Sequence, residues 1–114
     1  MNLNYFKQTR ILDGGMGQEL LARGMKPNGT LWSANALLDK DYHQLLLDTH
    51  RDFVKAGAEV IVTTTFTARR KRLRENNVEE KFEYLNKKAG EIALAVKKEF
   101  PNILVAGGIP PQNL

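Results

Sequence analysis

The chain has 114 residues, 42% hydrophobic and 26% charged, which suits one globular domain and leaves no room for two. It contains no cysteine, and this excludes disulfides, thiolate metal sites and a cysteine nucleophile within these residues. The net charge of +4 is local, because five of the 17 basic residues fall in Arg69-Arg70-Lys71-Arg72-Leu73-Arg74 while acids and bases mix elsewhere.

At the N-terminus, Met1 to Thr9 is polar and has no apolar core of signal-peptide length, and no later run is long enough to span a bilayer. A cytoplasmic protein is expected. The first predicted strand is Ile11-Leu12, stopped by Asp13-Gly14-Gly15, and a short helix is expected from Gly17 to Arg23, ending at Gly24. A loop with Pro27, Asn28 and Gly29 leads to Trp32. The clearest helix is predicted from Tyr42 to Ala56, with Asp41 as N-cap and Gly57 as stop. Tyr42, Leu45, Leu46, Phe53 and Ala56 form its apolar stripe, and Gln44, Asp48, Arg51, Asp52 and Lys55 face away. The second predicted strand, Val60-Ile61-Val62, runs into Thr63-Thr64-Thr65. A long helix is then predicted from Val78 to Phe100, striped by Val78, Phe82, Leu85, Ala89, Ile92, Ala93 and Val96, with Glu83 and Lys87 able to pair along its outer face. Pro101-Asn102 ends it, and the third strand, Ile103-Leu104-Val105-Ala106, stops at Gly107-Gly108.

Each strand is aliphatic on consecutive residues, as in a parallel sheet covered on both faces, and the order β, α, β, α, β defines an α/β protein. Eightfold barrels and flavodoxin-like sheets both begin this way, but a barrel takes ~250 residues and the chain is short for either. No helix is predicted after the third strand. A fragment, a truncated gene or a paired half-barrel is therefore expected, with an unpaired edge at that strand and marginal stability.

In parallel α/β folds, ligands bind beyond the carboxyl ends of the strands. Asp13 to Gly17, Thr63 to Phe66 and Gly107-Gly108 all fall there. Asp13-Gly14-Gly15 reads either as a turn or as an acid that accepts a substrate ammonium, with glycines that let the ligand reach the backbone. The glycine spacing does not match a dinucleotide site. The threonines read either as β-formers or as hydroxyls for a carboxylate. His43 and His50 stand seven residues apart on one helix, about 10.5 Å, too far for one metal with bonds of about 2 Å. A solvated or capping role is expected for both, with no metal site. The run Arg69 to Arg74 reads as a solvated rim or a phosphate or nucleic-acid patch. It lacks interleaved aromatics, and acids resume at Glu75, Glu79 and Glu80, which favours the rim and makes nucleic acid an improbable partner.

The run Ile11-Leu12-Asp13-Gly14-Gly15-Met16-Gly17-Gln18-Glu19-Leu20 resembles the opening of the homocysteine S-methyltransferase family, whose members share a homocysteine-binding domain. Leu31-Trp32-Ser33-Ala34 resembles it too, as do Ala56-Gly57-Ala58-Glu59-Val60-Ile61 with Thr63-Thr64-Thr65-Phe66, and Val105-Ala106-Gly107-Gly108. The likeness covers nearly the whole chain, so residues 1–114 are expected to be the N-terminal part of a (β/α)8 TIM barrel, about three strands and their helices. The resemblance implies methyl transfer from a small donor to the thiol of homocysteine, forming methionine. It implies that Asp13, Gly14 and Gly15 meet the amino-acid end of homocysteine or a similar thiol amino acid. Thr64, Thr65 and Phe66 would line the pocket beside it. Trp32 would face the methyl donor, where a methylsulfonium or methylammonium cation suits an indole face, or else simply pack. Many relatives carry Asn where Thr64 stands, which changes the hydrogen bonding available there. The family binds zinc through one cysteine in mid-barrel and a cysteine pair near its end, and this chain contains neither. Zinc ionises a thiol whose free pKa is ~8.5, so the chain alone is expected to be inactive. The rival expectations are a non-catalytic α/β binding module or remnant, and a basic nucleic-acid-binding module. Self-association through the open edge is also expected.

Overall fold

Two short parallel strands organise the molecule, a computed structural model that describes residues 2–111. Met1 and residues 112–114 lie outside the described residues, and so does that part of the expectations about the two termini. Strand β1 is Val60–Val62 and β2 is Leu104–Ala106, with Val60 opposite Leu104, Ile61 opposite Val105 and Val62 opposite Ala106. The ladder runs one step further at each end, through Leu104 N–H to the Glu59 carbonyl at 3.0 Å and Thr63 N–H to the Ala106 carbonyl at 2.9 Å.

The expected first strand is reduced to a single parallel bridge between Leu12 and Val60. Glu59 and Val60 both donate to the Ile11 carbonyl, at 2.8 and 3.2 Å, and Asp13 N–H donates to the Val60 carbonyl at 3.0 Å. Two apolar residues between Arg10 and Asp13 are too few to carry the ladder further. At the next step the Asp13 carboxylate, not a backbone carbonyl, takes the Val62 N–H at 3.0 Å.

The helices follow their apolar spacing more closely. Helix α1, Met16–Ala22, is followed by a 3-10 turn, Trp32–Ala34, that leads directly into α2, Asn35–Leu38, neither of which the sequence pattern indicated. Helix α3, His43–Lys55, starts after a 3-10 turn at Lys40–Tyr42. The capping acid is Asp39, which accepts from Asp41 N–H at 3.0 Å, so Asp41 is not the N-cap. Helix α4, Arg70–Glu75, is the basic run itself. Helix α5, Phe82–Glu99, follows a 3-10 turn at Glu79–Lys81 and pairs Lys88 with Glu91 at 3.1 Å, while Glu83 and Lys87 form no ion pair among the described residues.

Leu20, Leu31, Leu37, Leu46, Leu73 and Leu85 join α1, α2, α3, α4 and α5 in the main core cluster. Ala58, Ile61, Ala93, Val96 and Ile103 form a second cluster that seats α5 on the strands. The α5 stripe is buried as its spacing predicts at Leu85, Ala89, Ile92, Ala93 and Val96. On α3 the stripe differs: Leu46, Thr49 and His50 are buried, and Ala56 is exposed.

Candidate functional site

The segments that leave the Leu12 bridge and β1 meet the Trp32 turn around a cleft of about 470 Å³. Asp13, Gly14, Gly15, Trp32, Thr64 and Phe66 all border it, and so do Met16, Ser33, Thr63, Thr67 and Arg72. The site expected from sequence is thus brought together except at Thr65, which turns away.

Asp13 is fixed where the bridge ends. Its Oδ2 accepts the Val62 N–H, which leaves the carboxylate's other lone pairs for a cation. Partial burial pushes the Asp13 carboxyl above its ordinary range, and the hydrogen bonds from Val62 and its own N–H pull it back down. Gly14 has a packing reason to be glycine, because a Cβ there would stand 3.0 Å from Cε1 of Phe53 on α3. Gly15 occupies the N-cap of α1, and a Cβ there would meet nothing within 4 Å.

Trp32 is held with φ at +51°, in the left-handed region that bulky residues rarely enter, and its indole is half-exposed at the cleft. Its neighbours account for this. The buried Thr67 hydroxyl donates to the Leu31 carbonyl at 2.6 Å and accepts the Ala34 N–H at 3.1 Å, spanning the Trp32 turn. Thr30, just before it, is clamped by Asn76 through N–H at 3.1 Å and hydroxyl at 2.8 Å, and by Arg72, which donates to its carbonyl at 2.8 Å. Sequence reasoning missed Thr67. The available signal was a fourth hydroxyl just past the threonine run.

The three consecutive threonines divide. Thr65 donates to the Gly108 carbonyl at 2.7 Å, and Gly108 N–H donates to Thr63 Oγ1 at 3.1 Å, so both hydroxyls stitch the loop after β2 to the loop after β1. Thr65 instead borders a separate cavity of about 370 Å³ with Arg69, Arg70, Phe82 and Asn86. Thr64 is buried, with its Oγ1 3.4 Å from His50 Nε2. His50 is completely buried, not solvated or capping as expected, and burial lowers its pKa to about 4, so the ring is neutral at neutral pH. His43 does cap, with Nε2 2.7 Å from the Leu37 carbonyl of α2.

The basic run is more than a solvated rim. Arg69 is buried, Arg70 lies 4.2 Å from the Phe82 ring centre, Arg72 holds Thr30, and Arg74 pairs with Glu79 at 2.9 Å. Four of its five cations are thereby engaged within the fold, which weakens the nucleic-acid reading. Among the described residues no group of three or more histidine, cysteine or acidic side chains is placed to hold a metal ion. None of the helices described is long and apolar enough to cross a membrane.

The sequence pattern of the homocysteine S-methyltransferase family matches residues 10–114. The chain belongs to this family. It is 32% identical to homocysteine S-methyltransferase of Escherichia coli (strain K12) over 111 residues, covering 90% of this chain and 35% of that protein. It is 36% identical to homocysteine S-methyltransferase 2 of Zea mays over 91 residues, covering 79% of this chain and 26% of that protein. The crystal structure of the homocysteine methyltransferase MmuM from E. coli, metallated form, superposes with a TM-score of 0.79 at 30% identity, covering 96% of this chain and 40% of that one. This homocysteine S-methyltransferase family member therefore spans between about a quarter and two fifths of the length of these relatives.

Proposed function

We propose that this chain grips homocysteine for a cytoplasmic S-methyltransferase that forms methionine, and that its βαβ unit is part of a (β/α)8 barrel. One observation carries the reading: Asp13, Thr64 and Trp32 come from three separate segments and border one cleft beyond the strand ends. Asp13 offers lone pairs to the substrate ammonium, a charge-assisted contact in a half-buried place. Gly15 leaves room for the ligand to approach the backbone. Trp32 presents an indole face to a methylsulfonium or methylammonium donor, and Phe66 continues the apolar wall.

These residues do not fit zinc. The chain has no cysteine, and the cleft offers one carboxylate and several hydroxyls where a thiolate-activating site uses soft ligands. The ligands that the family resemblance implies belong to polypeptide beyond these residues. This chain positions the substrate and is expected not to turn it over alone.

Isothermal titration of the full chain with reduced L-homocysteine tests the reading. Asp13→Ala should weaken binding about tenfold or more, the worth of a hydrogen bond to a charged group. Equal affinities for wild type and Asp13→Ala would overturn it.

A further inference from the structure

His50 is the one completely buried histidine, and nothing in the proposed reaction uses it. It projects from the middle of α3 toward the segment after β1, where its Nε2 lies 3.4 Å from Thr64 Oγ1. Its Nδ1 is buried and has no hydrogen-bond partner. A neutral imidazole carries one proton on two nitrogens, so this asymmetry decides where the proton sits. A proton on Nδ1 would leave a buried N–H donor unmade. A proton on Nε2 leaves only an unused acceptor at Nδ1, which proteins tolerate more readily. The Nε2–H tautomer is therefore favoured, and His50 donates to Thr64.

That assignment fixes the polarity of Thr64. With its oxygen accepting from His50, the hydroxyl's own proton must point elsewhere, and Thr64 Oγ1 makes no other hydrogen bond among the described residues. Thr64 borders the cleft, and so does Asp13. The cleft then holds an acceptor for cations at Asp13 and a directed donor for anionic oxygen at Thr64, the complement of an amino-acid zwitterion.

We propose that His50 is a positioning residue, which by donating Nε2–H to Thr64 makes the Thr64 hydroxyl a hydrogen-bond donor to the ligand's carboxylate. The proposal rests on the homocysteine reading and says which end of the ligand each residue holds. His50 touches no ligand itself and acts only through Thr64.

The test uses the full chain and has two arms. In the first, long-range nitrogen–proton NMR on the free, nitrogen-15-labelled chain at neutral pH should show His50 as the Nε2–H tautomer, with its ring signals displaced in Thr64→Val. An Nδ1–H tautomer or an imidazolium would overturn the proposal whatever the ligand does. The second arm compares reduced L-homocysteine with its decarboxylated analogue by titration calorimetry. His50→Phe should weaken homocysteine binding by about tenfold and leave the analogue unchanged, because only the carboxylate contact is lost. His50→Gln, which keeps a donor within reach, should restore most of the affinity, and His50→Phe should add nothing in a Thr64→Val background. Equal losses for both ligands, or additive losses in the double variant, would reduce His50 to a packing residue. If the wild-type chain binds neither thiol, the homocysteine reading fails and takes the carboxylate contact with it, while the NMR arm still decides the hydrogen bond between His50 and Thr64.

Discussion

Trp32 and Gly29 both lie in left-handed backbone, at φ +51° and +55°, and the two positions carry opposite consequences. At Gly29 any Cβ would run into Asn76 Oδ1, the atom that accepts from Thr30 N–H. Gly29→Ala therefore adds backbone strain of ~1–2 kcal/mol and disturbs that clamp. Urea unfolding should show a stability loss of about 2 kcal/mol. Trp32 already bears comparable strain, held by Thr67 and the Thr30 clamp on either side of it. Trp32→Gly should leave stability within ~1 kcal/mol of wild type, because relieved strain offsets lost contacts and the added freedom of the unfolded chain. The same variant should lower affinity for a methylsulfonium compound about two- to fivefold, the worth of an exposed cation–π contact.

His50 makes a further residue-scale prediction. Its folded pKa is lowered to about 4 by burial, against 6.5 in the unfolded chain, so between those values the unfolded state binds more protons. The stability associated with a neutral His50 is thus fully present above pH 6.5 and is lost as pH falls toward 4. Across that window the loss amounts to roughly 3 kcal/mol. His50→Phe should flatten that part of the stability–pH curve in denaturant titrations. A wild-type curve with no slope there would show that His50 titrates normally.

At the scale of elements, what the sequence disclosed depended on whether side-chain polarity tracked burial. The stripe of α5 was legible because its buried positions are aliphatic or alanine. On α3, Leu46, Thr49, His50 and Phe53 have ideal one-face spacing, but the expected stripe omits Thr49 and His50, which look solvent-facing by type. Thr49 satisfies its hydroxyl on the Leu45 carbonyl at 2.7 Å, which is what lets it be buried. The site shows a related error. Thr64 and Thr65 are expected in one pocket, but the chain bends at Thr64, where Thr65 N–H closes onto the Thr63 carbonyl at 2.8 Å, and this turns the two side chains apart. Thr63 and Thr65 accordingly meet each other at 3.2 Å while Thr64 meets His50. The turn around Trp32 was not legible at all, since it is shaped by Thr67 from over thirty residues away. Thr67→Val keeps the volume but leaves the Leu31 carbonyl and the Ala34 N–H without that partner. Ala34 N–H keeps its 3.0 Å bond to the Leu31 carbonyl, so the change should cost about 1 kcal/mol and raise hydrogen exchange at Ala34 only modestly.

For the whole molecule, the chain exposes more surface than a compact monomer of its mass would. The accessible surface is 7043 Å², where a monomer of 12.9 kDa should show about 6,300 Å². The radius of gyration is 14.1 Å, against about 13 Å for a compact chain of this length. Part of the excess is apolar and lies at the open side of the bridge, where Ile11 and Leu12 are each 59% exposed. The surplus of roughly 700 Å² approaches what one partner buries in a standard interface. The isolated chain should therefore associate at micromolar concentrations, seen as a sedimentation coefficient that rises with loading. It should also melt over a broad range, because a sheet of two strands of three residues each is marginal by itself. Leu12→Lys should return the chain to a monomer at little cost in stability, since that side chain is mostly in water and only its backbone holds the bridge to Val60. A concentration-independent monomer with a sharp transition would mean instead that the two core clusters suffice, and that the exposed strand edge needs no cover.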